Sequence, residues 1–225
     1  NPSVALFRKS RGTHASPSAV QNDDNITTFV GQAYNGVEYQ NSGAIDIKVD
    51  GTFSSGQRPP SKIQFLTTEA GGGLTARMKI KSNGRVGIGT ASPDQSLHIF
   101  RGSAGSVDAH SLSGLVLEDD TSLFMTFLAP ANQDVGFFFG DPDSPTVGAM
   151  YYELVYDKMK FRTHQSTKMT IDSDGNVGIG TESPDALLTI SEGATGVKAF
   201  SLRATDINHG LTTGGGGNNT ATDEY

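Results

Sequence analysis

The sequence predicts an all-β protein made of tandem, small, sandwich-like repeat domains placed in series. Three observations carry that prediction. Residues 78–99 (MKIKSNGRVGIGTASPDQSLHI) return as residues 169–190 (MTIDSDGNVGIGTESPDALLTI), at an offset of 91 and with 14 of 22 positions identical. The apolar runs are short and alternate with polar residues, the period of a half-buried strand. No window holds an apolar helical stripe of about ten residues or more. A segment repeated this faithfully reads as architecture before chemistry, since one chain has little use for two copies of one catalytic loop.

The turn length inside the repeat follows from its side chains. A two-residue Asp174-Gly175 turn would set Val177 opposite Asp172 and split the apolar residues between two faces. A three-residue loop, Ser173-Asp174-Gly175, sets Ile171 opposite Val177 and Met169 opposite Ile179, with all four on one face. Such loops need a left-handed last residue, and Gly175 supplies it. The other copy agrees, with Ser82-Asn83-Gly84, Ile80 opposite Val86 and Met78 opposite Ile88. Gly87, Gly89, Gly178 and Gly180 then lie on the opposite face. Glycine in a strand packs nothing, so these four predict close approach of another backbone, from another chain or an adjacent strand.

The first unit spans residues 1–92. Val4 to Arg8 reads as a short strand and residues 9–18 as a loop. Asn22 to Asn25 is a turn, and Ile26 to Tyr34 a strand. Asn35-Gly36 signals a hairpin between Tyr34 and Val37. Ala44 to Val49 and Lys62 to Thr67 alternate as strands, separated by a turn over Gly56 to Ser61. The second unit, residues 93–183, repeats this order. Leu97 to Arg101 matches Val4 to Arg8, and Leu115 to Asp120 matches Ala19 to Asp24. Leu123 to Leu128, Val135 to Phe139, Ala149 to Tyr156 and Met159 to Thr163 follow as strands. A third unit begins over residues 184–211, with Leu187 to Ile190 and Phe200 to Arg203 as strands. Residues 212–225 read as a glycine-rich, polar connector. A chain that opens on Asn1-Pro2 without Met reads as part of a longer polypeptide.

Composition narrows the function. The chain has 225 residues, 35% of them hydrophobic, with 28 glycines and neither Trp nor Cys. That points to stability drawn partly from assembly rather than from a large private core. Net charge is −7 and no Lys/Arg cluster stands out, which argues against a nucleic-acid surface. Absence of cysteine removes disulfides and thiolate metal sites. No apolar run approaches the ~20 residues of a membrane-spanning helix, and no secretory signal is present.

Chemical constellations are few. Gly84 to Thr90 has glycines like a phosphate loop but lacks the Gly-Lys-Ser/Thr ending, and Pro93 blocks a following helix. Asp172, Asp174 and Asn176 have the alternate oxygens of a calcium loop, but the first copy has Lys81, Asn83 and Arg85 there, so a turn is the better reading. The five histidines (His14, His98, His110, His164, His209) show no H-x-x-x-H spacing, and there is no G-x-S-x-G elbow. Carboxylates such as Asp119-Asp120 and Asp141/Asp143 read as turn residues rather than a glycosidase pair. The Asn25-Ile26-Thr27 and Asn218-Asn219-Thr220 sequons read as chance matches. Tyr151 and Tyr152, near Phe137 to Phe139, are the candidate glycan contacts. No residue is assigned as catalytic, as a metal ligand or as binding a cofactor.

Met169 to Pro184 resembles a repeat of bacteriophage tail fibres, approximately Met-x-Ile-x-Ser-x-Gly-Asn-Val-Gly-Ile-Gly-Thr-x-Ser-Pro. Met78 to Pro93 is similar, with Arg85 replacing Asn. Phe7-Arg8, Ser16-Pro17 through Val20, Asp50-Gly51 and Arg77-Met78 also look like the stretch that precedes it there, so the resemblance covers most of residues 1–190. It implies an elongated homotrimer on a virion, joined to other fibre or tail proteins and positioning a receptor-binding tip against a host surface glycan. It also implies a C-terminal self-cleaving chaperone domain in many such fibres; its Ser-Lys pair is not identifiable here. Two other readings remain: a carbohydrate-binding module using the exposed aromatics, and a fragment of a polysaccharide-degrading tailspike.

Overall fold

Alternating side chains, tight turns and a scarcity of large apolar clusters produce sheets one layer thick. The computed structural model describes residues 5–106 and 108–191. Among these residues there are strands and no helix. A small ladder pairs β1 (Arg11–Gly12) with β2 (Pro17–Ser18). One sheet then runs in chain order through β3 (Asn25–Tyr34), β4 (Tyr39–Val49), β5 (Ser61–Thr68), β6 (Leu74–Ile80), β7 (Val86–Ile88), β8 (Leu97–Phe100) and β9 (Leu115–Glu118). A second runs through β10 (Asp134–Phe139), β11 (Gly148–Glu153), β12 (Lys158–Thr163), β13 (Ser166–Ile171), β14 (Val177–Ile179) and β15 (Leu188–Ile190). Pairing is antiparallel up to β7 and β14, then parallel for β7–β8, β8–β9 and β14–β15.

The repeated hairpin has the register its side chains require. Met169 pairs with Ile179 and Ile171 with Val177, and likewise Met78 with Ile88 and Ile80 with Val86. The loop closes through Asp172 N–H to Asn176 O at 3.0 Å and Lys81 N–H to Arg85 O at 2.9 Å. Gly84 and Gly175 each have φ +84°. The two copies hold that loop differently. Asp172 Oδ1 accepts from the Asp174 and Asn176 amides at 3.0 and 2.8 Å, so this carboxylate is consumed by its own turn. In the first copy Lys81 instead reaches Asp50.

The chain divides into two units, Asn1–Met125 and Thr126–Tyr225, each with one of the large sheets. The sheets are therefore out of phase with the 91-residue period. A boundary at residue 92 would cut between β7 and β8, which are hydrogen-bonded neighbours. The segment after each repeat adds a parallel strand to the sheet it follows rather than opening a new one. Among the described residues each unit has one large sheet, and its apolar face is partly exposed.

Several strand expectations need correction. Residues 5–8 are not a strand, and Val4 lies outside the described residues. The loop over residues 9–18 contains the β1–β2 ladder. Asn35-Gly36 begins a four-residue connection, not a two-residue one: Tyr34 pairs with Tyr39, and Asn35 Oδ1 accepts from the Val37 and Glu38 amides, both at 2.9 Å. Leu123 to Leu128 is irregular, with no neighbouring strand to complete a ladder. The strand from Ala149 stops at Glu153, because residues 154–157 turn and Asp157 adopts φ 50°. His164 and Gln165 form a tight turn with φ 48° and 57° and no glycine. The expected strand Phe200 to Arg203, the rest of the third unit and the connector lie outside the described residues.

A buried ion cluster ties the first sheet's end together. Lys62 is buried and pairs with Asp23 and, at 3.5 Å, with Asp50. Asp50 also accepts from Lys81 Nζ at 2.7 Å and the Ser82 amide at 2.9 Å. Burial pushes the Asp50 carboxyl up, but Lys81 and Ser82 outweigh it and hold the group well below the usual carboxylate range. A depressed folded-state pKa contributes stability above the unfolded value, about 4, and loses it as pH falls through and below that range. Asp50→Asn is therefore expected to cost about 1–3 kcal/mol at pH 7. The gap to the parent chain should narrow by pH 3 in urea titrations; an equal gap at both pH values would refute the assignment.

Candidate functional site

Cross-strand register places the apolar residues in continuous rows. In the first sheet Phe29, Ile45, Phe65, Met78, Ile88, Ile99 and Leu117 pair strand to strand across the whole width. Beside them run Thr27, Ile47, Ile63, Ile80, Val86, Leu97 and Leu115. The second sheet repeats this with Phe137, Met150, Phe161, Met169, Ile179 and Ile190, beside Val135, Tyr152, Met159, Ile171, Val177 and Leu188. These rows are not covered. Phe29 is 51% exposed, Ile45 40%, Phe137 40% and Ile179 42%. Phe7 reaches over one corner, edge-on to Phe29 with centroids 5.6 Å apart.

The opposite face has the reverse character. Its central row in the first sheet is Thr28, Asp46, Gln64, Lys79, Gly87, His98 and Val116. Asp46, Gln64, Gly87 and His98 are buried. The equivalent row in the second sheet is Gly136, Tyr151, Lys160, Thr170, Gly178 and Thr189, with Lys160, Thr170 and Gly178 buried. Lys160 Nζ lies 2.8 Å from both Glu153 Oε2 and Glu182 Oε2. Burial lowers this ammonium's pKa, but the two carboxylates outweigh it and hold the charged form firmly.

The glycines explain how that face is covered. A Cβ on Gly87 would sit 2.6 Å from Thr90 O, and one on Gly178 2.5 Å from Thr181 O. The close approach thus comes from the chain's own connection, residues 89–96 and 180–187, which folds back over the sheet between the parallel strands. At Gly89 the approaching backbone is Phe100 of the adjacent strand β8, and at Gly180 it is Ser191, just past β15. Gly89 and Gly180 make the exit from the strand possible, with φ +79° and +76° and the Phe100 and Ser191 carbonyls 2.1 and 2.2 Å from an added Cβ. Thr90 and Thr181 then cap their loops by accepting from the Ser92 and Ser183 amides, at 3.1 and 3.2 Å.

Tyr151 and Tyr152 do not form one platform. Consecutive strand residues point to opposite faces, so Tyr152 joins the apolar rows and Tyr151 the other side. Tyr151 instead lines a cleft of about 540 Å³ with Phe127, Phe137, Phe138 and Arg162. Arg162 stands 5.7 Å from the Phe138 ring centroid.

The structure also joins residues that spacing alone does not connect. Asp94, on the connection, meets His98 of β8 and Glu118 of β9, with one ligand-type atom from each within 4.8 Å of the others. A search for paired histidines passes over this group, because two of its three members are carboxylates and one is 20 residues downstream. Asp94-x-x-x-His98 was the available local signal.

No protein-family model matches the chain, and no curated protein matches it. Among solved structures, the chain is similar to the carboxy-terminal domain of the bacteriophage T5 L-shaped tail fibre with its intramolecular chaperone domain. Identity is 12%, coverage 93% of this chain and 68% of that one, and the TM-score 0.40. The carboxy-terminal domain of the same fibre alone gives 11%, 93%, 95% and 0.38.

The glycine geometry makes a graded prediction. Gly178→Val should destabilise the second unit by about 2–4 kcal/mol, because the Thr181 carbonyl must move. Gly175→Ala meets no atom within 4 Å and carries only the left-handed penalty, about 1–2 kcal/mol. Thermal or urea denaturation of both variants checks the order; equal losses would show that the close approach is not what Gly178 serves.

Proposed function

We propose that this chain is a structural and adhesive fibre segment whose apolar sheet faces pack against the same faces of two further copies. The observation that carries the reading is the pair of uncovered apolar rows, present on both sheets while the polar rows are buried. A half-exposed Ile, Leu, Met or Phe forgoes roughly 1 kcal/mol relative to full burial. With five such residues in the first sheet's rows and three in the second's, each chain leaves on the order of 8 kcal/mol unrealised. That lies within the roughly 4–15 kcal/mol entropic cost of association. Like faces suit a second copy because both carry the same uncharged pattern, while a chain of net charge −7 keeps its repulsive groups on the solvent side. The number three and the setting, an extracellular fibre on a virion that positions a host-binding tip among other fibre or tail proteins, come from the resemblance of the Met169 to Pro184 repeat to bacteriophage tail fibres.

A second reading rests on the cleft around Tyr151, Phe138 and Arg162, whose aromatic faces and guanidinium suit a sugar ring. Glycan-array binding lost in Tyr151→Ala would favour it.

Sedimentation equilibrium tests the first reading. A mass three times 23.7 kDa is expected, and a stable monomer at micromolar concentration would overturn it. Ile45→Lys, on an exposed row position, is expected to dissociate the assembly while keeping the β circular-dichroism signature. An unchanged mass would show that this face is not the contact.

A further inference from the structure

We propose that Asp94, His98 and Glu118 form a binding site for a divalent transition cation of borderline softness, with zinc as the type. His98 is 2% exposed. Its Nε2 lies 3.0 Å from Glu118 Oε2, yet the direction is wrong for a hydrogen bond and the atom has no other partner among the described residues. Two ligands of one zinc ion, each bonded at roughly 2.0–2.2 Å, stand about 3 Å apart. A shared cation fits this short N···O distance.

Charge balance points the same way. Among the described residues most other buried charges are matched: Lys62 and Lys81 with Asp50, Lys160 with two glutamates, Arg101 with Asp119 at 3.1 Å, while Asp46 is held by the Thr28 hydroxyl. Among the described residues neither Asp94 nor Glu118 is paired with Lys or Arg. Two carboxylates around a buried imidazole leave room for positive charge, and imidazole with carboxylate is a donor set that borderline divalent metals take. Glu118 is already oriented, since its Oε1 accepts from the Ala104 amide at 2.9 Å. Asp94 Oδ2 is 3.9 Å from His98 Nδ1, the ring nitrogen on the other side from Glu118, so this side chain, 36% exposed, has to swing toward Nε2 to join as third ligand. The Asp94 amide donates to Nδ1 at 3.4 Å, the long limit of a hydrogen bond, and metal binding at Nε2, which puts the ring proton on Nδ1, breaks this contact.

The site belongs to the first unit alone of the two repeats. At the offset of 91, Thr189 replaces His98 and caps its own loop, accepting from the Asp185 amide at 3.1 Å and donating to Asp185 Oδ1 at 2.8 Å. His98 Nδ1 accepts from the Asp94 amide in the same place, so the cap is common to both copies and the Nε2 contact with Glu118 is what the first unit adds.

The test is calorimetric titration of the EDTA-treated full chain with zinc chloride, followed by cobalt(II) absorption. One site per chain is expected, retained in His110→Gln and His164→Gln, which alter exposed histidines. Affinity should fall by at least about tenfold in His98→Gln and in Asp94→Asn. Asp94→Asn, at a part-exposed position, guards against loss of fold, which circular dichroism checks. Cobalt(II) should give a visible d–d band in the parent and lose it in Asp94→Asn. No binding to the folded parent, or zinc binding undiminished in both variants, would overturn the proposal and leave only adventitious surface coordination.

Discussion

Everything in this molecule depends on the register of a five-residue turn. With Asp172 opposite Asn176, and Lys81 opposite Arg85, the four apolar residues of each hairpin share a face. One residue fewer would turn Val177 and Ile179 to the other side. Because every later strand is aligned on that hairpin, the choice propagates. Ile99 and Leu117 extend the row on one flank, Phe65, Ile45 and Phe29 on the other. A sheet of seven strands thus has one apolar and one polar face along its central rows.

Which face the chain covers is the unexpected part. In a self-contained domain the apolar rows go inside and the polar rows meet water. Here the connections between the parallel strands cross the polar side, and their backbones rest on Gly87 and Gly178. Ion pairs and hydrogen bonds satisfy part of what lies there, Thr28 Oγ1 on Asp46 at 2.7 Å and Lys160 between two glutamates, while Thr170 Oγ1 and His98 Nε2 have no hydrogen-bond partner among the described residues. Among the described residues the buried hydrophobic side chains are Ala44, Val49 and Ala149. The fold thus uses its loops on the polar face and leaves Ile45 and Ile179 open.

Much of this was legible in the residues, and the failures have physical causes. Alternation and the three-residue loop determined the hairpins down to the paired residues, because a period of two leaves only one register with a single apolar face. The strands Ile26 to Tyr34, Ala44 to Val49 and Lys62 to Thr67 were legible for the same reason. Leu123 to Leu128 has the composition of a strand, but composition does not supply a neighbour to pair with. Ala149 to Tyr156 was read as one run because β-propensity does not register a turn built from Leu154, Val155 and Tyr156. The glycines mark close approach, and the part played by the connection at Gly87 and Gly178 leaves no periodic signal in the sequence. Tyr151 and Tyr152, adjacent in sequence, were grouped although a strand separates neighbours to opposite faces.

The two copies of the hairpin show which constraint is shared and which is free. Both need a left-handed residue at the end of the loop, a residue without a side chain under the crossing backbone, and a threonine to cap that crossing. They do not need the same anchor. Asp172 folds its charge into its own turn, whereas Lys81 sends its charge outward to Asp50 and links the hairpin to Lys62 and Asp23. The same freedom applies eleven residues past each central glycine, where Thr189 makes a purely local cap and His98 meets a carboxylate from the next strand. A motif that dictates register while leaving such positions open can be duplicated without duplicating its chemistry. The apolar rows recur on both sheets with different residues, so register is what the repeat conserves and side-chain chemistry is what it leaves open to each unit.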